Sequence, residues 1–271
     1  MYKRRIPVVP LAFTALLLLN LFVFMGRTIV FSNKVPPSDN SIRVCSWNSA
    51  YFFKWGRDVG LSTLKGQNCD VILLQEVWKS ELMTNEIASI RNEYFPTMDF
   101  YSQGEFLVLA PKGSVVEVNR SNSKGHFSVT LQNKNLTLTS IHLWNPITDM
   151  PTLDTNGKVV VIPAKEARES QKKELLTFLA RKTDVPHLIV GDFNTLQNGK
   201  IQRDITKISP QGAFSYLSTP IFSNKNTYPA NFPFLHIDYA FTSKSLQQSG
   251  IAKKCLPQAS DHCLLIIDLM L

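Results

Sequence analysis

The chain has 271 residues, 44% of them hydrophobic and 18% charged, which excludes a disordered polyelectrolyte and leaves ample material for a core. The net charge of +8 suggests a nucleic-acid partner, but residues 1–34 carry five of the 29 Lys and Arg and none of the 21 acids. What remains is 24 cations against 21 acids, or +3, too little for charge alone to argue for nucleic acid.

Three of the N-terminal charges, Lys3, Arg4 and Arg5, precede an uncharged run from Ile6 to Gly26 that is rich in Leu, Val and Phe. Those 21 residues, as a helix rising about 1.5 Å per residue, just cross a hydrocarbon core of about 30 Å. The run is longer than a usual signal core, and no A-x-A-like cleavage site follows it. It reads as an uncleaved anchor, with a cleaved secretory signal as the alternative. The basic N-terminus belongs in the cytoplasm and everything after Lys34 across the membrane. Residues 1–34 are thus expected to be the anchor or signal, and residues 35–271 one catalytic domain, with Lys34-Val-Pro-Pro-Ser-Asp-Asn as linker. Cys45, Cys69, Cys255 and Cys263 fit no zinc spacing and could pair in an oxidising compartment. The apolar runs around Cys45 and Cys263 favour buried free thiols instead.

Beyond the linker, strands are predicted at 42–47 and 71–74, with a helix over 58–68 between them and a second over 79–91. Strands follow at 106–109, 114–118, 127–131 and 136–141, the last two joined by a hairpin turn at Asn133-Lys-Asn135. Pro163 opens a helix over 164–181. Later strands are predicted at 187–190, 236–241 and 262–269. Hairpins mixed with strand–helix–strand units suggest stacked sheets with helices outside.

The informative residues stand where apolar runs end or begin. Six clusters occur there: Ser46-Trp-Asn48, Gln75-Glu-Val77, Ile141-His-Leu143, Gly191-Asp-Phe-Asn194, Ile237-Asp-Tyr239 and Ser260-Asp-His262. Any one of them reads as a cap or turn. Together they supply three Asp, one Glu, two Asn and two His, a set suited to phosphate chemistry. A phosphate ester is anionic and repels nucleophiles. A hard cation held by carboxylates offsets that charge, a carboxylate or His deprotonates water, and neutral or cationic donors stabilise the phosphoryl oxygens.

These motifs, in this order from Arg43 to Leu269, resemble the endonuclease/exonuclease/phosphatase superfamily, the DNase I-like group. The Gly-Asp-Phe-Asn and Ser-Asp-His motifs are the specific ones. The resemblance implies a four-layered α/β sandwich and a metal-dependent hydrolase of phosphate esters. It implies Glu76 as main Mg²⁺ ligand, with Mn²⁺ as a substitute ion, Asn48 orienting metal and phosphate, and Asp261 as an added ligand or orienter. Asp192 would orient or deprotonate water, Asn194 would donate to a phosphoryl oxygen, and His262 would contact the scissile phosphate, kept charged by Asp238. His142 matches a histidine placed near the scissile phosphate as donor or general acid. The expected partner is a phosphate-ester substrate, nucleic acid or phospholipid head group, besides the membrane itself; no protein partner is predicted. A phosphodiesterase of the DNase I type is expected first. A phosphatase or sphingomyelinase-like phospholipase is the alternative, and a non-enzymatic binding domain ranks last.

Elsewhere His126 reads as an exposed turn residue, His187 and His236 as structural, and Arg168 and Gln171 as solvent-facing or packed against the sheets. Tyr51-Phe-Phe-Lys-Trp55 reads as core or as an aromatic rim that Trp144-Asn145 could share.

Overall fold

The computed structural model describes residues 41–50, 56–77, 84–153, 158–181, 185–196, 199–208, 214–216, 226–243 and 245–271. The expected anchor and the aromatic run 51–55 lie outside them. Among the described residues no helix is long and apolar enough to cross a membrane.

Strand β1 (Ser41–Asn48) leads through helix α1 (Arg57–Gly66) to the parallel strand β2 (Val71–Gln75). Helix α2 (Thr84–Tyr94) precedes the hairpin β3 (Met98–Gln103) and β4 (Phe106–Pro111). The meander β5 (Val115–Arg120), β6 (His126–Leu131) and β7 (Leu136–His142) follows, then a small hairpin of β8 (Met150–Leu153) and β9 (Val159–Ile162). Helix α3 (Ala164–Ala180), β10 (His187–Asp192), helix α4 (Lys200–Lys207) and β11 (Phe214–Tyr216) come next. Strands β12 (Asp238–Ser243), β13 (Gln247–Cys255) and β14 (Cys263–Met270) complete the fold. One six-stranded sheet runs β13-β14-β1-β2-β4-β3 and the other β11-β12-β10-β7-β6-β5.

Period-two alternation explains the layering. Val44, Val71 and Leu73 point inward and meet Phe127, Val129, Leu138 and Val190 of the facing sheet. Their neighbours Cys45, Ile72 and Leu74 point outward and are covered by Leu61 and Leu64 of α1 and Ile90 of α2. On the far side Ile141, Ile189 and Phe241 pack under Leu175 and Leu179 of α3 and Ile201 and Ile205 of α4. The result is the expected four-layered sandwich.

Several expectations shift. The helix over 79–91 is described as 84–94, its start lying outside the described residues, and the strand expected from His236 begins at Asp238. Strands β3, β8, β9, β11 and β13 and helix α4 were not predicted. They are short, edge or half-exposed elements whose apolar pattern is weak. The thiols are corrected too: Cys45 pairs with Cys69, and Cys255 with Cys263, so none is free. Both pairs follow from topology, since Cys69 directly precedes β2 beside β1, and Cys255 faces Cys263 across adjacent strands.

His126 is a second correction, buried rather than exposed at 2%, with its ring against Phe178. Burial pushes its pKa down to about 4, against the pull of Glu174. The unfolded chain, with a histidine near 6.5, therefore binds the extra proton between those values. Its contribution to stability is complete above pH 6.5 and lost as the pH falls toward 4. We expect denaturant unfolding to show a loss of about 2 kcal/mol from this residue between pH 7 and 5, which His126→Gln removes.

Candidate active site

Sheet pairing carries the six motifs to one edge. Asn48 ends β1 beside Gln75, the residue before Glu76. His142 ends β7 in register with Asp192, which ends β10. Strand β12 is antiparallel to β10, so its first residue, Asp238, stands opposite Asp192. Strand β14 is antiparallel to β1, which places His262 at the same edge. Gly191 is required here: its φ is +142°, and a Cβ would lie 2.2 Å from the carbonyl oxygen of Ile141. Glu76 and Asn194 also take left-handed conformations, φ 50° and 46°, a local strain common at functional positions.

Asp192 is the hub. Its Oδ1 accepts the backbone N–H of Asn194 at 2.7 Å, and its Oδ2 accepts the amides of Asn48 at 3.0 Å and Asn194 at 3.1 Å. The Nε2 atoms of His262 and His142 lie 3.7 and 3.8 Å from that same oxygen. Asn48 also donates to Glu76 Oε1 at 3.0 Å, so one amide bridges the expected metal ligand and the expected base. Asn194 donates further to the Leu143 carbonyl at 3.0 Å, tying the loop after β10 to the one after β7. His262 is held from behind: its Nδ1 faces Asp238 Oδ2 at 3.0 Å, and its carbonyl accepts Trp47 Nε1 at 2.9 Å. Ser260 donates to the Asn48 carbonyl at 2.7 Å and accepts the His262 N–H.

Two contributors, Glu105 and Tyr228, were missed from sequence, and a third, Arg168, was read as solvent-facing or packed against the sheets. Glu105, in the tight turn between β3 and β4, receives His142 Nδ1 and leaves Nε2 facing Glu76 Oε1 at 3.2 Å. Tyr228 lays its ring 4.9 Å from that of His262. Arg168 of α3 donates to the carbonyls of Trp144 at 2.6 Å and Phe193 at 2.8 Å, bracing the loops behind His142 and Asp192. Gln171, one turn on, accepts the Trp144 N–H at 2.7 Å. No spacing in the sequence marks Glu105 or Tyr228. Arg168 is the one with a signal, since a guanidinium on the sheet-facing side of α3 needs partners. His187 is structural as expected, buried with Nε2 2.7 Å from Thr139 Oγ1.

Burial works against every charge here, and the partners decide the outcome. Burial would raise Glu76, but the hydrogen bonds from His142 and Asn48 and the nearby imidazoles hold it down at about 2. Burial would lower His262, but Asp238 and Asp192 raise it to about 9. His142 is raised likewise by Glu105 and Glu76 against its burial. Asp192 is the exception, because burial wins and lifts it to about 6, near the range useful to a general base.

The donor set fits a hard cation. Glu76, His142 and Asp192 offer atoms within 4.8 Å of one another, as do Asp192, Asp238 and His262. Asp261 belongs to neither group, but its Oδ1 is buried without a hydrogen-bond partner, and burial followed by Glu76 and Asp238 raises its pKa against the pull of His262. Such an orphaned oxygen among carboxylates is what a cation bound through oxygen would satisfy. Of the ligands expected from sequence, Glu76 lies in the first of these groups, and Asn48 and Asp261 are the other candidates to hold it.

A family model described as "Endonuclease/Exonuclease/phosphatase family" matches residues 45–262. Among solved structures, an endonuclease/exonuclease/phosphatase from Bacteroides vulgatus aligns at 16% identity and TM-score 0.61, covering 85% of this chain and 99% of that one. The 2′,3′-cyclic phosphatase ANGEL2, in complex with adenosine-2′,3′-vanadate, aligns at 13% identity and TM-score 0.62, covering 89% and 99%. A 3′ phosphatase from Neisseria bound to product DNA hairpin aligns at 11% and TM-score 0.60, covering 83% and 98%. No curated protein matches by sequence. With the sandwich, the motif edge and a family match over most of its length, the chain belongs to the endonuclease/exonuclease/phosphatase family, hydrolases of phosphate esters.

Proposed function

We propose that this chain is a Mg²⁺-dependent phosphodiesterase in which water attacks phosphorus in line with the leaving oxygen. The observation that carries the reading is the convergence of His142 and His262 on one oxygen of Asp192, each imidazole backed by its own carboxylate. Asp192 takes the water's proton. His262 donates to a non-bridging phosphoryl oxygen and stabilises the charge gathering there. His142, oriented by Glu105, donates its Nε2 proton to the departing oxygen as the P–O bond breaks. A cation at Glu76, Asn48 and Asp261 would offset the phosphate charge and polarise the P–O bonds. The leaving oxygen departs as an alkoxide unless it is protonated, so an acid in this position suits phosphate esters of unactivated alcohols.

The leaving group tests the role of His142. With His142→Ala, hydrolysis of a diester with an alkoxide leaving group should fall on the order of 10²–10⁴-fold, the range for general acid catalysis. A nitrophenyl diester, whose leaving group needs little protonation, should lose far less. Equal losses would remove the acid role.

We also infer that residues 1–34 anchor the domain on the far side of a membrane from the cytoplasm. The basic flank supports that orientation, and the two disulfides support an oxidising compartment.

A further inference from the structure

The Asp238–His262 pair is braced by a segment that carries no charge and belongs to none of the six motifs, residues 226–235. The segment closes on itself through Tyr228 and Leu235, which exchange both backbone hydrogen bonds, at 3.1 and 2.8 Å. Lys253 of β13 donates to the Asn226 carbonyl and fixes where it begins. Three bonds then tie it to the pair. Thr227, fully buried, accepts the Asp238 N–H on its hydroxyl at 3.3 Å and the Cys263 N–H on its carbonyl at 2.8 Å. The Ala230 N–H donates to the Asp261 carbonyl at 2.6 Å. Asp238 and both chain neighbours of His262 are therefore bonded to one short stretch of chain.

The ring of Tyr228 lies 4.9 Å from the imidazole of His262, inclined at 51°. Of the imidazole nitrogens, Nδ1 faces Asp238 Oδ2 at 3.0 Å and Nε2 lies 3.7 Å from Asp192 Oδ2. The outer torsion of a histidine is broad and soft, so one hydrogen bond at Nδ1 leaves the ring free to tip. A second ring packed against the first opposes that motion.

We propose that Tyr228 is a positioning residue for His262: its ring sets the tilt of the imidazole, and Thr227 beside it sets the spacing of Asp238 and His262, so that Nε2 meets the phosphoryl oxygen without rearrangement. The tyrosine acts through the imidazole. Its effect on turnover rests on the phosphodiesterase reading above; its hold on His262 does not.

Two readouts on the full chain separate those statements. With the histidines labelled with ¹⁵N, the Nδ1 proton of His262 should exchange with water about tenfold faster in Tyr228→Leu than in the native chain. Tyr228→Phe, which keeps the ring, should exchange at the native rate. On bis(4-nitrophenyl) phosphate with Mg²⁺, Tyr228→Leu should lower kcat on the order of 10²-fold with KM nearly unchanged, the cost of a misplaced group, while Tyr228→Phe stays near native. In a His262→Ala chain, Tyr228→Leu should have no further effect. Thr227→Val, which fills the same space without the acceptor, should speed exchange and lower kcat in the same way, and it serves where the leucine variant does not fold. Native exchange in these variants, or losses that add to that of His262→Ala, overturn the positioning role. Faster exchange, in a protein whose native form cleaves no diester, upholds it and sinks the phosphodiesterase reading instead.

Discussion

Glu76→Ala should lower turnover on the order of 10³-fold and raise the Mg²⁺ needed for half-activity well beyond the wild-type value. The carboxylate is held ionised at about 2 despite its burial, and its Oε1 receives both Asn48 and His142. Removing it takes away the expected metal ligand and leaves two donors without their acceptor. Both effects act on the transition state, where the loss of one electrostatic stabiliser alone costs about 10²–10³ in rate. A metal titration distinguishes the cause. If turnover recovers at high Mg²⁺, Glu76 is a ligand; a fall in turnover at an unchanged metal requirement would mean that it acts only through His142. A positive φ at position 76 permits the substitution, since the backbone already bears that strain in the native chain.

The second large effect is expected at Asp238. Asp238→Asn keeps the side-chain shape against His262 but removes the charge that, with Asp192, lifts the imidazole to about 9. In the native chain His262 therefore stays cationic through neutral pH and loses its proton only as the pH approaches 9. In the variant its pKa falls, so the alkaline limb of the rate profile should move to lower pH. Turnover near neutrality should drop on the order of 10²–10⁴-fold, as when a histidine loses its orienting carboxylate. Thermal unfolding checks the bland alternative, in which Asp238 matters only for packing. A lower Tm with an unmoved pH profile would assign it that structural role.

Much of the site was legible because chemistry of this kind cannot be hidden in turns. The carboxylates, amides and imidazoles of the six motifs each interrupt or border an apolar run, and strand pairing alone carries them to one edge. Glu105 was not legible, because its role depends on the β3–β4 hairpin folding back beside Glu76, where Val77 N–H donates to the Glu105 carbonyl. Tyr228 likewise acts through a contact 34 residues away in the chain. His126 misled for a different reason. A Lys-Gly-His sequence looks like an exposed turn, but His126 pairs with Ile141 in the sheet and Phe178 of α3 packs against its ring. The cysteines misled through their apolar neighbours, which signal burial but say nothing about pairing. Strands β3 and β13 escaped because they lie at the ends of one sheet, where half-exposed residues blur the alternation.

The central claim is that a divalent cation and these side chains hydrolyse a phosphodiester. Its most direct measurement uses the full chain with Mg²⁺ or with EDTA, beside Glu76→Ala. Plasmid DNA, RNA and sphingomyelin are offered as diesters, and inositol phosphates and lipid monoesters as monoesters. The account predicts Mg²⁺-dependent cleavage among the diesters, lost in EDTA and in the variant. Cleavage confined to the monoesters, or cleavage that EDTA and Glu76→Ala both leave intact, would contradict it.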